Sequence, residues 1–311
     1  MRETGVSDPA LVMFGDGRDW HGRTLTKAFK RRGITPLLAP LNACGFSTKT
    51  ATGLASPGLG NRLPKGAFVR FVPGGSFEEV TLYLGVLHAL RERGVVVWND
   101  ARAIERCVDK STTTFLLERA GLPTPRTFAK ASRTEAEAFV SALVDEDHKL
   151  VQKPLFGAQG KGLRLIASPA DLALAEEVSG VYYLQEFVPP AQGHHQDWRL
   201  FVCQNRVIAS MTRHGSSWIT NIKQGARARA AIASHELIDL ATRAAACVGA
   251  NYAGVDIIQA RDGRFLVLEV NSMPAWNGLQ LVSQVRIADY VVDAFLDAAL
   301  APTRREGQKG A

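Results

Sequence analysis

The chain has 311 residues, 46% of them hydrophobic and 22% charged, with a formal net charge of +7, a length that accommodates two or three domains with real cores. No apolar run approaches the ~20 residues of a membrane span, and the opening MRETGVSDP carries no apolar segment after its charges, so no signal peptide and a cytoplasmic location are expected. The positive charge favours anionic partners, yet the basic residues are dispersed, apart from KAFKRRG at 27–33, with no interleaved aromatics; a small anionic substrate is expected rather than nucleic acid or membrane.

In chain order, the first ~105 residues alternate in an α/β manner. ALVMFG (10–15), AFVRFV (67–72) and VVVW (95–98) read as strands. TLTKAFKRRG (24–33) and EEVTLYLGVLHALRERG (78–94) read as helices closed by Gly33 and Gly94. Between them, residues 42–66 are rich in Gly, Ser, Thr and Pro and predict a long irregular connection, mobile or functional. A helix capped by Asp109 and ended by Gly121 opens a second region. TEAEAFVSALVDED then places Ala136, Phe139, Val140, Leu143 and Val144 on one helical face. Strands follow at KLVQKP, LRLIAS and VYYLQEFV (181–188). Beyond ~190, DWRLFVCQNRVIASMTRHG predicts a hairpin turning at Gln204-Asn205. SHELIDLATRAAACVG predicts a helix with Leu237, Leu240, Ala241, Ala244 and Val248 on its apolar stripe, and the tail APTRREGQKGA predicts disorder. Cys44, Cys107, Cys203 and Cys247 form no CxxC pair and have no histidine at metal spacing, so they read as buried or inert thiols.

The segment GVDIIQARDGRFLVLEVN reads as a second hairpin. With a two-residue turn at Asp262-Gly263, Asp256 lies directly opposite Glu269, with Cβ atoms ~5 Å apart. Asn271 shares that face by alternation. Ile258, Val267 and Phe265 are expected beside these acids, and Val255, Ile257, Leu266 and Leu268 on the other face. Opposed buried carboxylates repel and are desolvated. A hard divalent cation relieves that conflict, and a solvated strand end does so equally well; spacing alone leaves both open, and a turn one residue longer destroys the pairing. In VQKPLFGAQGKG (151–162), Gly157, Gly160 and Gly162 flank Gln159 and Lys161 between two strands. This order fits neither a Walker loop nor a Rossmann helix. Glycines allow backbone N–H groups to approach an anion, and an ordinary glycine-rich turn fits the pattern too.

Taken together, DKSTT (109–113), VQKPLFGAQGKG, LQEFV (184–188), DWRLFV (197–202), AGVDII (253–258) and LEVNSMPAW (268–276) occur in an order that resembles the ATP-grasp superfamily, and within it the RimK-type glutamate ligases. AFVR with PGGSFEE, WITNIKQGAR and EVNSMPAWNGL is similar to the tetrahydromethanopterin α-L-glutamate ligase branch. The resemblance implies an α/β ATP-grasp fold with α+β lobes: a Rossmann-like N-terminal domain (1–108), a small lobe with a glycine-rich lid (109–188), a C-terminal lobe (189–300) and a tail (301–311).

Position by position, the resemblance implies the following. Lys110 and Lys153 contact ATP phosphates, with Gly157, Gln159, Gly160, Lys161 and Gly162 folding over them. Gln185, Glu186, Phe187 and Val188 form the adenine-reading hinge, with Glu186 and the Phe187 backbone on the amino edge. Asp197 reaches the ribose or substrate side. Arg199, Arg213 and Asn221 face the phosphate and acyl group. Asp256, Glu269 and Asn271, the residues that hairpin geometry singles out, match the magnesium ligands. The implied cofactors are ATP and Mg2+ (or Mn2+), two ions, and the implied partners are L-glutamate and a small anionic carboxylate acceptor, in a homo-oligomer. Other acceptors, such as a furan-type coenzyme precursor, an amino-acid intermediate or a protein tail, stay open, as does a nucleotide-binding module without turnover. An Asp256→Ala chain is expected to be folded and inactive. The segment PPAQGHHQD after the hinge is longer than in many relatives, and residues 42–66 match no part of the family.

Overall fold

The computed structural model describes residues 11–145, 148–157, 159–190 and 194–301; the expectations for the first residues and for the tail beyond 301 lie outside them. Two compact units emerge, one of residues up to Asp100 together with those from Ala288 on, the other Ala101–Ile287.

In the first unit, β1 (Leu11–Phe14) leads through an Asp19 cap into α1 (Trp20–Arg31). The helix starts four residues before the apolar pattern because the Asp19 carboxylate accepts the Gly22 N–H at 2.7 Å. Next come β2 (Leu37–Ala39), the short antiparallel pair β3 (Gly45–Phe46) and β4 (Leu54–Ala55), then β5 (Gly66–Val69), α2 (Phe77–Glu92) and β6 (Val96–Trp98). Ser76 and Glu79 close a reciprocal capping box at the start of α2. The sheet order is β2-β1-β5-β6, all parallel. β1 and β5 are buried along their whole length, which explains their unbroken apolar runs. The connection 42–66 is not featureless: Leu54 and Leu59 are buried, and Phe46 lies beside Gly85 of α2.

The second unit begins with α3 (Ala101–Val108) and α4 (Lys110–Arg119), the latter capped by Asp109 as its sequence predicts. β7 (Thr127–Lys130), α5 (Arg133–Leu143), β8 (Leu150–Lys153), β9 (Arg164–Ile166) and β10 (Tyr182–Glu186) form a small lobe with sheet order β7-β10-β8-β9. Ala136 and Val140 of α5 pack on Leu150, Ile166, Tyr182 and Leu184, with Phe139, Leu143 and Val144 at the margin. The larger sheet, in order β13-β12-β11-β14-β15, comprises β11 (Gln196–Cys203), β12 (Arg206–His214), β13 (Arg227–Ala230), β14 (Tyr252–Gln259) and β15 (Phe265–Asn271). Gln204 and Asn205, both left-handed, make the predicted two-residue turn between β11 and β12. α6 (His235–Val248) lays the predicted stripe of Leu237, Leu240, Ala241, Ala244 and Val248 against Val255, Ile257, Val267 and Val270.

After α7 (Asn277–Val282) the chain returns to the first unit through α8 (Ile287–Leu300). Phe295 meets Phe29, Phe68 and Trp98 edge-on at centroid distances of 6.1, 5.5 and 5.9 Å. Asp289 and Asp293 pair with Arg31 and Arg32 along the same helix. The cysteines are free; Cys44, Cys107 and Cys203 are buried, and burial pushes Cys107 and Cys203 up to about 12. Phe295→Ala removes the ring that α8 inserts among these three aromatics. It lowers the stability of the first unit by about 3–5 kcal/mol, read as lost amide-exchange protection in β1 and β5.

Candidate active site

The site starts with the hairpin of β14 and β15. Asp256 does lie opposite Glu269, and Gly254 opposite Asn271, but toward the turn the register shifts by one: Ile257 faces Val267 and Gln259 faces Phe265. The turn is one residue longer than the sequence predicts. Ala260 N–H donates to the Arg264 carbonyl at 2.9 Å, Gly263 N–H donates back to Ala260 at 3.0 Å, and Gly263 has φ +89°. A β-bulge at Leu268 absorbs the extra residue and restores the acidic pairing. The bulge also corrects the expected faces. Leu268 joins Asp256, Ile258 and Glu269 on the side of a cleft, whereas Val267 and Phe265 pack with Val255 and Ile257 in the core.

β11 and β12 complete this face with charge. Asp197 stands opposite Arg213, and Arg199 opposite Asp256. Arg213 Nε donates to Asp197 Oδ1 at 2.8 Å, its Nη2 donates to Asp197 Oδ2, and the same Nη2 lies 3.1 Å from Asp256 Oδ2. Arg199 Nη2 donates to Asp256 Oδ2 at 2.9 Å. Asp197, Arg213 and Asp256 are 3%, 4% and 4% exposed. The paired carboxylates outweigh desolvation and raise Arg213, which stays charged. Burial pushes Asp197 up, with Arg213 opposing. Removing one member leaves an uncompensated buried charge, a cost of about 3–5 kcal/mol. Asp256→Ala therefore carries a stability cost beside the loss of activity that the sequence reading expects.

The small lobe supplies the other wall. Lys153 Nζ donates to Gln185 Oε1 at 2.6 Å. Desolvation first, then the neighbouring Lys110 charge, bring Lys153 down to about 8, against the pull of Glu269 and Asp256. Burial lowers Lys110 as well, and its ammonium donates to the carbonyls of Leu155 (3.2 Å) and Gly157 (2.8 Å). Lys110 thus ties down the glycine loop at the edge of the cleft. Gly160 has φ +72°, and a Cβ there would lie 2.5 Å from Asn221 Oδ1, so a side chain there is strained by the positive φ and pushes the Asn221 side chain aside. Gln224 Nε2 donates to the Gln159 carbonyl at 3.3 Å from the same side.

Of the residues singled out in the sequence, Lys110, Lys153, Gly157, Gln159, Gly160, Lys161, Gln185, Glu186, Phe187, Val188, Asp197, Arg213, Asn221, Asp256 and Glu269 line one cleft of about 990 Å³, open mouth included. Gly162, Arg199 and Asn271 do not line it. Arg199 lies behind Asp256, and Asn271 Nδ2 donates weakly to the Gly254 carbonyl at 3.5 Å. The Asp197 oxygens are both engaged by Arg213. The Phe187 N–H donates to the Lys149 carbonyl at 2.9 Å. The sequence reading passed over Leu163, His195, Trp218, Ile219, Thr220 and Leu268, which also line the cleft. Trp218, Ile219 and Thr220 lie in WITNIKQGAR beside Asn221. Trp218 meets Phe187 edge-on at 6.0 Å.

The donor set suits a hard cation. Buried Asp256 Oδ1 touches Arg199 Nε as an ion pair but has no hydrogen-bond partner. Glu269 pairs with no cation among the described residues. No group of three or more His, Cys, Asp and Glu that could hold a metal occurs among the described residues. The two carboxylates in the cleft leave further positions to phosphate oxygens and water, as magnesium prefers.

Residues 107–295 match the RimK-like ATP-grasp domain. The chain belongs to the RimK-like ATP-grasp family. It is 35% identical over 210 residues to tetrahydromethanopterin:alpha-L-glutamate ligase of Methanocaldococcus jannaschii, covering 65% of this chain and 70% of that one. It is 28% identical over 320 residues to the enzyme of the same name from Methanosarcina acetivorans, covering 91% and 97%. The fold is similar to that of the ATP-grasp ligase PsnB complexed with minimal precursor, with a TM-score of 0.73 and 24% identity over 94% of this chain and 100% of that one. The protein is an ATP-dependent ligase of this family. No helix among the described residues is long and apolar enough to cross a membrane.

Two outcomes follow from the cleft. Gly160→Ala displaces the loop from Asn221 and lowers kcat/KM at least tenfold with little change in Tm. In the nucleotide-free protein Lys153 is charged below about pH 8 and neutral above it, while a bound phosphate favours the charged form. Nucleotide Kd is therefore flat below pH 8 and rises above it, by up to about tenfold per pH unit. Lys153→Arg, which keeps its charge, abolishes that rise in a calorimetric titration.

Proposed function

We propose that this ligase joins the amine of L-glutamate to a carboxylate of an anionic acceptor through an acyl phosphate. The observation that carries the reading is one cleft with the Asp256–Glu269 pair and Arg213 on one wall and Lys153 on the other. It combines two cation-seeking carboxylates with cations that seek phosphate. The acceptor carboxylate attacks the terminal phosphorus of ATP and ADP leaves. The glutamate amine then attacks the acyl carbon, phosphate leaves, and the amine proton goes to solvent. No enzyme nucleophile is needed, so the protein works by placement and charge.

Lys153, Lys161 and Arg213 offset the phosphate charge. Asp197 holds Arg213 in place, and Arg199 supports Asp256 from behind. Val188, Ile258, Leu268 and the Phe187–Trp218 pair give an apolar slot for a base. Asp256, Glu269 and Asn271 would hold magnesium or manganese, two ions in the proposed stoichiometry; when bound, the metal neutralises the phosphate oxygens as a Lewis acid. The loop from Gly157 to Gly162, with Lys110 beneath it, keeps water from the acyl phosphate. The acceptor proposed is a one-carbon carrier coenzyme of the tetrahydromethanopterin type, supported by the names of the relatives that match over most of the chain.

The test incubates the full chain with ATP, magnesium, L-glutamate and either tetrahydromethanopterin-type pterins or furan-coenzyme precursors, with mass spectrometry as the readout. A pterin product heavier by one or more glutamyl units is expected. A glutamylated furan product moves the acceptor assignment, and ADP release with another amine discards glutamate. Glu269→Gln, which breaks no ion pair, lowers turnover at least a hundredfold while Tm stays within a few degrees. Unchanged turnover removes Glu269 from the metal set.

A further inference from the structure

Behind Lys153 runs a chain of buried hydrogen bonds whose direction is fixed at both ends. An ammonium only donates, so Gln185 meets Lys153 Nζ with its oxygen, at 2.6 Å. At the far end, Thr114 Oγ1 donates to the Lys110 carbonyl, one turn back in α4, at 2.9 Å. Thr114 Oγ1 also lies 2.8 Å from the Tyr183 hydroxyl. Its one proton is spent on the carbonyl, so here it accepts and Tyr183 donates. Tyr183 oxygen is then the acceptor for Gln185 Nε2 at 3.3 Å, and Thr127 Oγ1 takes a second, weaker contact from the same nitrogen at 3.4 Å. Each hydroxyl has one allowed sense, and the amide of Gln185 has one allowed orientation.

Sheet register builds this chain. Tyr183 stands opposite Lys153, and Thr127 opposite Gln185, all on the face of the small sheet turned away from α5. Tyr183 and Gln185 are each 1% exposed and Thr114 9%, so water does not substitute for a missing partner.

We propose that Tyr183 and Thr114 are positioning residues that lock the Gln185 amide, so that a neutral oxygen aims Lys153 at the nucleotide phosphates and leaves its charge unspent. This rests on the nucleotide reading given above. A carboxylate at 185 would hold the ammonium as firmly but would neutralise it and repel phosphate. An amide free to flip would present its NH2 to the ammonium, donor against donor. Since the chain ends on the Lys110 carbonyl, while the Lys110 ammonium holds the glycine loop, the two lysines keep their spacing through β10 and α4.

The experiment measures binding of ADP with magnesium to the full chain by calorimetry at pH 7.5, together with Tm. Gln185→Glu weakens ADP at least tenfold while Tm is unchanged or raised, because the new carboxylate gains an ion pair; a merely structural role lowers both together. Tyr183→Phe and Thr114→Val each weaken ADP by about tenfold, the loss of roughly one buried hydrogen bond, and Thr114→Ser restores it. In the Gln185→Glu background Tyr183→Phe adds no further loss, since a carboxylate has no orientation to lock. If Gln185→Glu does not fold, the Tyr183 and Thr114 variants carry the same test. Lys153→Met separates the two levels. If it binds ADP as tightly as the parent chain, the nucleotide reading fails and the relay with it. If it loses affinity while Gln185→Glu and Tyr183→Phe bind normally, or lose affinity only in step with Tm, the relay alone is overturned.

Discussion

Four charges share one face of a five-stranded sheet: Asp197, Arg199, Arg213 and Asp256. Each is tolerable there only because the others are present. The register of β11 against β12 and β14 places acid opposite base twice, and Arg213 bridges the two acids. Burial strengthens every interaction in the set and makes each unpaired member expensive. The result is a nearly neutral floor, on which Glu269 pairs with no cation among the described residues.

The opposite wall uses a different economy of charge. In the small lobe the lysines are held by neutral oxygens: Lys153 by an amide, Lys110 by two backbone carbonyls. Burial lowers both ammonium groups, and neither donates to a carboxylate among the described residues. Paired charges on the floor and unpaired cations on the wall suit a triphosphate with its metal, and the apolar Leu268, Ile258 and Val188 suit the base. In both lobes one sheet face is given to the core, under α5 or α6, and the other to chemistry.

Much of this was legible beforehand. The stripe of α6 is legible residue by residue, because a helix buries a fixed periodicity whatever it packs against. The cap at Asp109 and the Gln204-Asn205 turn followed from local backbone chemistry. The opposition of Asp256 and Glu269 was inferred through a turn that is one residue too short, and it survives because the bulge at Leu268 compensates. That coincidence is instructive: turn length and bulge are separate, and only their sum sets the pairing. The same bulge is why Leu268 lies on the face of the acids and not with Val255 and Ile257, as strict alternation expects. The short elements β2, β7 and β13 were missed, since three or four residues carry no period.

What the sequence determined by itself is whatever depends on neighbours within about one helical turn or one strand: caps, apolar stripes, tight turns, and which acids, lysines and glycines are available. What only the tertiary structure decided is who meets whom across the chain. Reading in order groups α8 with the segment before it, yet its Phe295 is buried against Phe29, Phe68 and Trp98. Arg199 reads as a cleft residue, yet it supports Asp256 from behind. Nothing in the local sequence orients the Gln185 amide, because its partners come from α4, β7, β8 and β10. Burial and pairing are properties of the assembled sheet, and they set both the charge of Lys153 and the availability of Glu269.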